Sequence, residues 1–318
     1  MKSALLFRMG GLGDLLVALP SIYLVRKTLS PCAITIVCRR EYGELLREAS
    51  VVDSILSESD PMIAPFFASA PLPAELSHWL ESFSFVFGWW QKKSPLFLEK
   101  IQKEKRKLRV LSVEWNPSSN SPLSFYFYKK TNDFLISEGR PLFSYRECSL
   151  LPISPEQKKE GLAFLGSEKA AQSKRIAVVH PGSGSEEKCW PLENFLEIVR
   201  RLSSLGYRGA VVTGFAEERL EKKLYSSSLP SGWVWIHNPP LLQLAGLLSS
   251  ASFYLGNDSG ITHLAAACGI KGMALFRSRF VKHWKPYGRV SVLSAGDLSE
   301  TTSKAVWEEI RKTTLQAE

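Results

Sequence analysis

An α/β fold of two Rossmann-like domains follows from three features of the sequence. Short apolar runs alternate with longer helix-forming segments along most of the chain. The first run, Ala4-Leu5-Leu6-Phe7, enters the turn Gly10-Gly11-Leu12-Gly13 and then an apolar segment, the order that opens a Rossmann-like unit. The length, 318 residues, exceeds a usual single domain. The domains are expected over 1–173 and 174–318.

In the first half, Ser3 to Arg8 reads as a strand and Leu15 to Leu29 as its helix. Ala33 to Cys38 is the second strand, Tyr42 to Glu48 a short helix and Val51 to Leu56 the third strand. Pro61, Pro65, Pro71 and Pro73 break the pattern between Ser57 and Pro73, which reads as a mobile surface loop. Phe83 to Gly88 is the next strand, running into Trp89-Trp90-Gln91-Lys92-Lys93. There the two tryptophans either stack on sugar rings beside Lys92 and Lys93 or are simply buried against a neighbouring helix. A charged helix from Leu96 to Lys107 carries Lys100, Lys103, Lys105, Arg106 and Lys107, which read as a solvated face. Arg109 to Val113 is a strand, Ser118 to Ser124 a loop and Phe125 to Ser137 a helix. A proline-bounded stretch and a charged helix then lead to Ala170-Ala171-Gln172-Ser173, where the domain boundary is expected.

The glycine turn does not suit a dinucleotide. That fingerprint asks for a third small residue where Leu16 stands, and for an acid after the second strand, where Arg39 and Arg40 follow. Asp14, just before Leu15, reads from its position as a cap on the following helix.

In the second half, Arg175 to Val179 is a strand running into a glycine and serine loop, His180 to Pro191. Its small residues, Ser183 and Gly184 among them, suit a wrapped diphosphate, and Lys188 behind them is either a movable point charge for it or an ordinary surface lysine. The helix from Pro191 to Leu205 follows, then the strand Tyr207 to Thr213 and the loop Gly214-Phe215-Ala216-Glu217-Glu218. Trp233 to Ile236 is a strand and Leu241 to Ser250 a helix. Ser252 to Leu255 is a strand, Thr262 to Cys268 a helix ended by Gly269, Met273 to Phe276 a strand, and Thr301 to Gln316 the last helix.

The stretch from Gly256 to Ala267 joins an apolar strand to a helix through small and polar residues, Asn257-Asp258-Ser259-Gly260-Ile261-Thr262-His263. Free N–H groups at such a helix start hold phosphate, and Gly260 admits a ligand close to the backbone. Asp258 repels an anion, so it either stands aside to bind hydroxyls or caps the helix. His263 either reaches the ligand or is an ordinary helix histidine.

Composition narrows the setting. With 45% hydrophobic and 22% charged residues the chain reads as a soluble globular protein. Five cysteines, Cys32, Cys38, Cys148, Cys189 and Cys268, show neither metal-ligand spacing nor a close pair, which points to a reducing cytoplasm and to no metal. No run is long and apolar enough to span a bilayer, and no signal peptide precedes the first strand. A formal net charge of +9 favours an anionic partner: nucleic acid, a phosphorylated sugar lipid or a membrane face.

Three motifs in order, "GGLGDLLVALP", "HPGSGSEEKCWP" and the Gly256 to His263 stretch, resemble those of glycosyltransferase family nine, the ADP-heptose:lipopolysaccharide heptosyltransferases. The resemblance implies a GT-B type architecture, two Rossmann-like domains facing across a cleft, with acceptor on the N-terminal side and nucleotide-sugar on the C-terminal side. It implies inverting transfer, ADP-heptose as donor, an anionic glycolipid acceptor, contact with the inner membrane face, no nucleic acid partner and no cofactor. Asp14 matches the family's base and Lys188 its leaving-group lysine. Ser183, Gly184, Glu217 (or its neighbour Glu218), Asp258, Ser259, Gly260, Thr262 and His263 fall on donor-binding positions. Two departures stand out: the Gly88 to Lys93 stretch, and Arg277-Ser278-Arg279-Phe280 where the family carries a neutral glycine-proline-threonine loop. In enzymes of this type the last helix often crosses back onto the first domain.

Overall fold

The computed structural model describes residues 3–68, 70–91, 98, 108–141, 143–145, 150–166, 173–214 and 228–315. Lys92, Lys93, Cys148, Glu217, Glu218 and the basic helix expected over 96–107, Leu98 excepted, lie outside the described residues. The chain divides into two compact units, Met1–Ser149 and Leu150–Glu318.

The first unit contains β1 (Ser3–Phe7), α1 (Leu12–Leu29), β2 (Ala33–Cys38), α2 (Arg40–Glu48), β3 (Ser54–Ser57), α3 (Ala74–Leu80), β4 (Phe85–Trp90), β5 (Arg109–Glu114) and α4 (Leu123–Ser137). Its described strands form a five-stranded parallel sheet ordered β3-β2-β1-β4-β5. Ala4 to Phe7 are buried on both faces, as the middle strand of a covered parallel sheet must be.

Three expectations shift. Val51 and Val52 turn their N–H groups back to Leu46 after Ser50, whose φ is 57°, so β3 starts only at Ser54. The stretch read as a loop holds a 3₁₀ turn at Ala64–Phe66 and leads into α3; Ile63, Phe66, Leu76 and Leu80 are buried, and this burial outweighs the prolines. β4 continues through both tryptophans, which pair with Val113 and Glu114 of β5.

The second unit contains α5 (Pro155–Ala163), β6 (Ile176–His180), α6 (Leu192–Ser204), β7 (Arg208–Thr213), β8 (Trp233–His237), α7 (Leu241–Ser250), β9 (Phe253–Asn257), α8 (Gly260–Ala267), β10 (Gly272–Arg277), α9 (Ser278–Trp284), β11 (Val290–Ala295) and α10 (Ser303–Ile310). Its described strands form a six-stranded parallel sheet, β11-β10-β9-β6-β7-β8. In both units the chain reverses direction about its first strand. The reversal falls between β1 and β4 in one and between β6 and β9 in the other, the places where open α/β sheets bind ligands.

The division at Ser149 replaces the boundary expected near Ser173, because α5 is fused to α7. A Cβ on Gly161 would lie 2.1 Å from the Leu247 nitrogen, and one on Gly246 would lie 1.9 Å from the Gln157 carbonyl oxygen, so these helices touch backbone to backbone. Leu151 N–H also bonds to Ala267 C=O at 2.8 Å. At the other end α10 runs on into a π-helical turn at Arg311–Leu315, close to the expected span, and packs on α6 of its own unit, with Val306 and Ile310 buried in that unit's core.

Candidate active site

At the reversal of the first unit, Arg8 leaves β1 as a nearly fully buried cation. Its Nε donates to Asp14 C=O at 2.6 Å, Nη1 donates to Trp89 C=O at 3.0 Å, and Nη2 lies 3.4 Å from Asp14 Oδ1. The guanidinium also stands over the Phe127 ring, 5.5 Å from its centroid. Burial pushes its pKa down to about 10 against the pull of Asp14. Asp14 sits in the first turn of α1, not before it: Oδ2 accepts Gly11 N–H at 2.7 Å, and Oδ1 accepts from Gln91 Nε2. That bond explains why α1 begins at Leu12 instead of Leu15, since an acid at the third helical position satisfies a donor the helix leaves open. Gly10, at φ 112°, needs its hydrogen side chain here, because a Cβ would meet Asp14 Oδ2 at 2.6 Å. Gly10 N–H in turn donates to Glu58 Oε2 at 3.3 Å, and Glu58 is held by Arg39 at 3.0 Å.

Trp89 and Trp90 do not offer stacking faces. Trp89 is fully buried with its indole N–H on Thr131 of α4, and Trp90 is buried with its N–H on Ser112, so burial against a neighbouring helix is the arrangement found for Trp89.

At the reversal of the second unit the loops after β6 and β9 are laced together. Asn257, fully buried, donates to Pro181 C=O at 2.8 Å and accepts Trp190 N–H at 3.2 Å. Ser183 donates to Asp258 C=O at 2.6 Å. Lys188 Nζ stands 2.8 Å from Asp258 Oδ2 and 4.4 Å from the centroid of the Phe280 ring. Burial raises the Asp258 pKa while the Lys188 charge pulls it the other way. Asp258 is therefore an ion-pair partner, and the cap is Ser259, whose Oγ accepts Thr262 N–H at 3.3 Å and lies 3.3 Å from His180 Nδ1.

Ser183, Lys188, Asp258, Ser259, Gly260, Thr262 and His263 thus share one sheet edge, but with different duties. The Thr262 hydroxyl is turned inward, onto Asn257 C=O at 2.5 Å and Tyr254 Oη at 2.8 Å, and the Ser183 hydroxyl is likewise engaged; neither is a free donor. Gly184 is exposed with open space around it. His263 is buried, and among the described residues neither ring nitrogen has a hydrogen-bond partner; burial, aided by Lys188, pushes its pKa down to about 4. Burial alone takes His180 to about 4. The N–H groups of Gly260 and Ile261, in the first turn of α8, have no acceptor within the helix. Together with Lys188 they form a positive edge able to bind an anion.

Arg8, Glu58, Gln91, His180 and Asn257 were not singled out from the sequence. Arg8 had a signal, a cation ending an otherwise wholly apolar strand; Asn257 and Glu58 had none, since their roles depend on partners 76 and 48 positions away.

The model of glycosyltransferase family 9 (heptosyltransferase) matches residues 146–309. No curated protein is matched by sequence. Among solved structures, the family 9 glycosyl transferase of Veillonella parvula DSM 2008 is similar with a TM-score of 0.78 at 15% identity, over 99% of this chain and 97% of that one. The E. coli ADP-heptose lps heptosyltransferase II gives 0.72 at 17% identity, over 100% and 99%. The E. coli heptosyltransferase WaaC with ADP gives 0.64 at 17% identity, over 98% and 99%. The fold, two parallel-sheet α/β units of GT-B type, is common to them.

Proposed function

Because this chain belongs to glycosyltransferase family 9, we propose that it is an inverting enzyme that moves a sugar, heptose from ADP-heptose, onto a hydroxyl of an anionic glycolipid of the lipopolysaccharide core type. One observation carries the assignment of roles: the two glycine-containing turns differ in what occupies their N–H groups. In the first unit Gly10 and Gly11 donate to Glu58 and Asp14, which leaves that loop no welcome for a phosphate. In the second unit the start of α8 has open N–H groups beside Lys188. The diphosphate therefore belongs to the second unit and the proton acceptor to the first.

In this reading the acceptor oxygen bonds to the anomeric carbon as the bond from that carbon to the diphosphate oxygen breaks. Asp14 takes the acceptor's proton, with Arg8 and Gln91 fixing its carboxylate. Lys188 and the α8 N–H groups hold the charge that develops on the leaving diphosphate. Asp258 keeps Lys188 in place until the donor arrives, and His263, kept neutral by burial, offers a donor and an acceptor to the bound sugar or phosphate. Glu217 is proposed for the nucleoside by resemblance alone, as it lies outside the described residues. Among the described residues no helix is long and apolar enough to cross a membrane. A cytoplasmic enzyme meeting its lipid acceptor at the inner membrane face, aided by its net charge of +9, fits this reading.

The test is transfer from a panel of nucleotide-sugars to purified lipopolysaccharide core acceptors, followed by mass spectrometry, with the new anomeric configuration read by NMR. Product from ADP-heptose with inverted configuration supports the proposal. Retained configuration, or transfer only from a different nucleotide-sugar, sinks the mechanism or the donor assignment respectively.

A further inference from the structure

The segment that replaces the family's neutral loop builds a cluster of charges at the carboxyl edge of β10. Arg279 Nη2 lies 2.5 Å and Arg277 Nη1 3.5 Å from the same oxygen, Glu187 Oε2. The neighbouring residue, Lys188, is paired with Asp258. Phe280 joins the two pairs, since its ring lies under both Lys188 Nζ, at 4.4 Å, and Arg279 Cζ, at 4.7 Å. Two of the three cations thus meet at one aromatic ring, each paired with its own carboxylate, while Arg277 shares Glu187 and also acts on Asp297.

The two arginines are not equivalent. Arg277 is anchored, its side chain 24% exposed and its Nε donating to Gly296 C=O at 3.0 Å. Arg279 is 55% exposed and Glu187 45%, and no further hydrogen bond of Arg279 is found among the described residues. An ion pair so open to water is held weakly and exchanges its anion readily. A diphosphate carries more charge than a carboxylate and suits a guanidinium fork in two-point contact.

We propose that Arg279 is a further diphosphate-binding residue of this enzyme and that Glu187 is its resting anion, surrendered when a nucleoside diphosphate reaches Lys188. This rests on the assignment of the diphosphate to the second unit. The pair then acts as a selectivity device: a ligand must out-compete Glu187 to recruit Arg279, so a single phosphate gains less than a diphosphate does.

Titration calorimetry of the full chain with ADP, and separately with inorganic pyrophosphate and AMP, tests this. Arg279→Gln should weaken ADP binding about tenfold, as loss of a charge-assisted contact does. Glu187→Gln should tighten it about two- to fivefold, the worth of an exposed ion pair. The decisive quantity is the coupling. If Arg279 changes partners, Arg279→Gln costs more in the Glu187→Gln background than in the wild type; if the two residues act only through the overall field, their effects add. Arg175→Gln, the same charge change at the amino end of β6, should leave affinity unchanged. Pyrophosphate should show the same pattern as ADP, and AMP a much smaller response to Arg279→Gln. Unaltered ADP affinity in Arg279→Gln, or strict additivity, overturns the proposal. If the wild type binds neither ADP nor pyrophosphate, the donor-site assignment itself fails; if it binds both and Lys188→Met weakens them while Arg279→Gln does not, only the role of Arg279 is lost.

Discussion

Asp14→Asn separates the proposed base from the cap that the same carboxylate provides. The amide oxygen can still accept Gly11 N–H in the place of Oδ2, now 2.7 Å away, so the first turn of α1 keeps its bond. The amide nitrogen then faces Arg8 Nη2 and Gln91 Nε2, both donors. Gln91 can turn its own amide over; Arg8 cannot, but it retains the carbonyls of Asp14 and Trp89. The loss is thus one ion pair at 3.4 Å whose acid partner is a quarter exposed, which amounts to about 1–2 kcal/mol after allowing for solvent screening. The catalytic loss is of another order: removing a general base lowers the rate by about a hundred- to ten-thousandfold. Urea unfolding measures the first quantity, and single-turnover transfer at saturating donor measures the second. ADP affinity should be unchanged, because the nucleotide is assigned to the other unit. A folded Asn variant that transfers sugar at near the wild-type rate would refute the base, leaving Asp14 as a cap and a counter-ion for Arg8.

Lys188→Met should abolish most ADP affinity in calorimetry and also destabilise the chain by about 1–3 kcal/mol, because it strands the buried Asp258 carboxylate. Adding Asp258→Asn should restore stability in urea without restoring ADP binding; restored binding would remove Lys188 from the site. Gly246→Ala should cost about 1–3 kcal/mol or more by overpacking, since its Cβ meets the Gln157 carbonyl, and a wild-type unfolding midpoint would show that the α5–α7 contact is looser than described. His180 and His263 have folded pKa values depressed to about 4 from 6.5, so the unfolded chain binds more protons between those values. Their stabilisation is complete above pH 6.5 and is lost as pH falls towards 4, at up to about 1.4 kcal/mol per pH unit for each. Urea midpoints at pH 7, 6 and 5, above the ordinary carboxylate range, should fall accordingly; a flat profile would mean the imidazoles are not held neutral.

Local pattern was a good guide wherever one strand or helix explained itself. The strands and glycine turns of both reversals were legible, whereas the placing of Lys188, Asp258 and His263 at one edge came from the family resemblance. Partnerships between distant segments were not. From its position before a helix Asp258 reads either as a hydroxyl-binding residue or as a cap, yet Ser259 caps and Asp258 meets Lys188, because only the folded sheet brings the β6 and β9 loops together. Trp89 and Trp90 look like loop residues after Gly88, and only pairing with β5 draws them into the sheet. The proline-rich segment after Ser57 reads as loose because punctuation residues dominate its local signal, whereas the apolar face that Phe66 and Leu80 cover is supplied by other strands. Gly161 and Gly246 carry no periodic signal at all, and so the boundary fell too late.

Trp89 and Trp190 have a practical consequence. Both indoles are shielded from water, one in each half of the chain, and both N–H groups are fixed, on the Thr131 hydroxyl and the Thr301 carbonyl. Each half therefore carries its own optical reporter, whose emission shifts to the red when that half opens. Spectra of Trp89→Phe and Trp190→Phe, each subtracted from the wild type, yield two separate melting curves from one instrument. Trp190 reports more than unfolding. Its backbone N–H rests on Asn257, the residue that ties the β6 and β9 loops, so a rearrangement of those loops should alter its emission, and titration with ADP tests whether the proposed donor causes one.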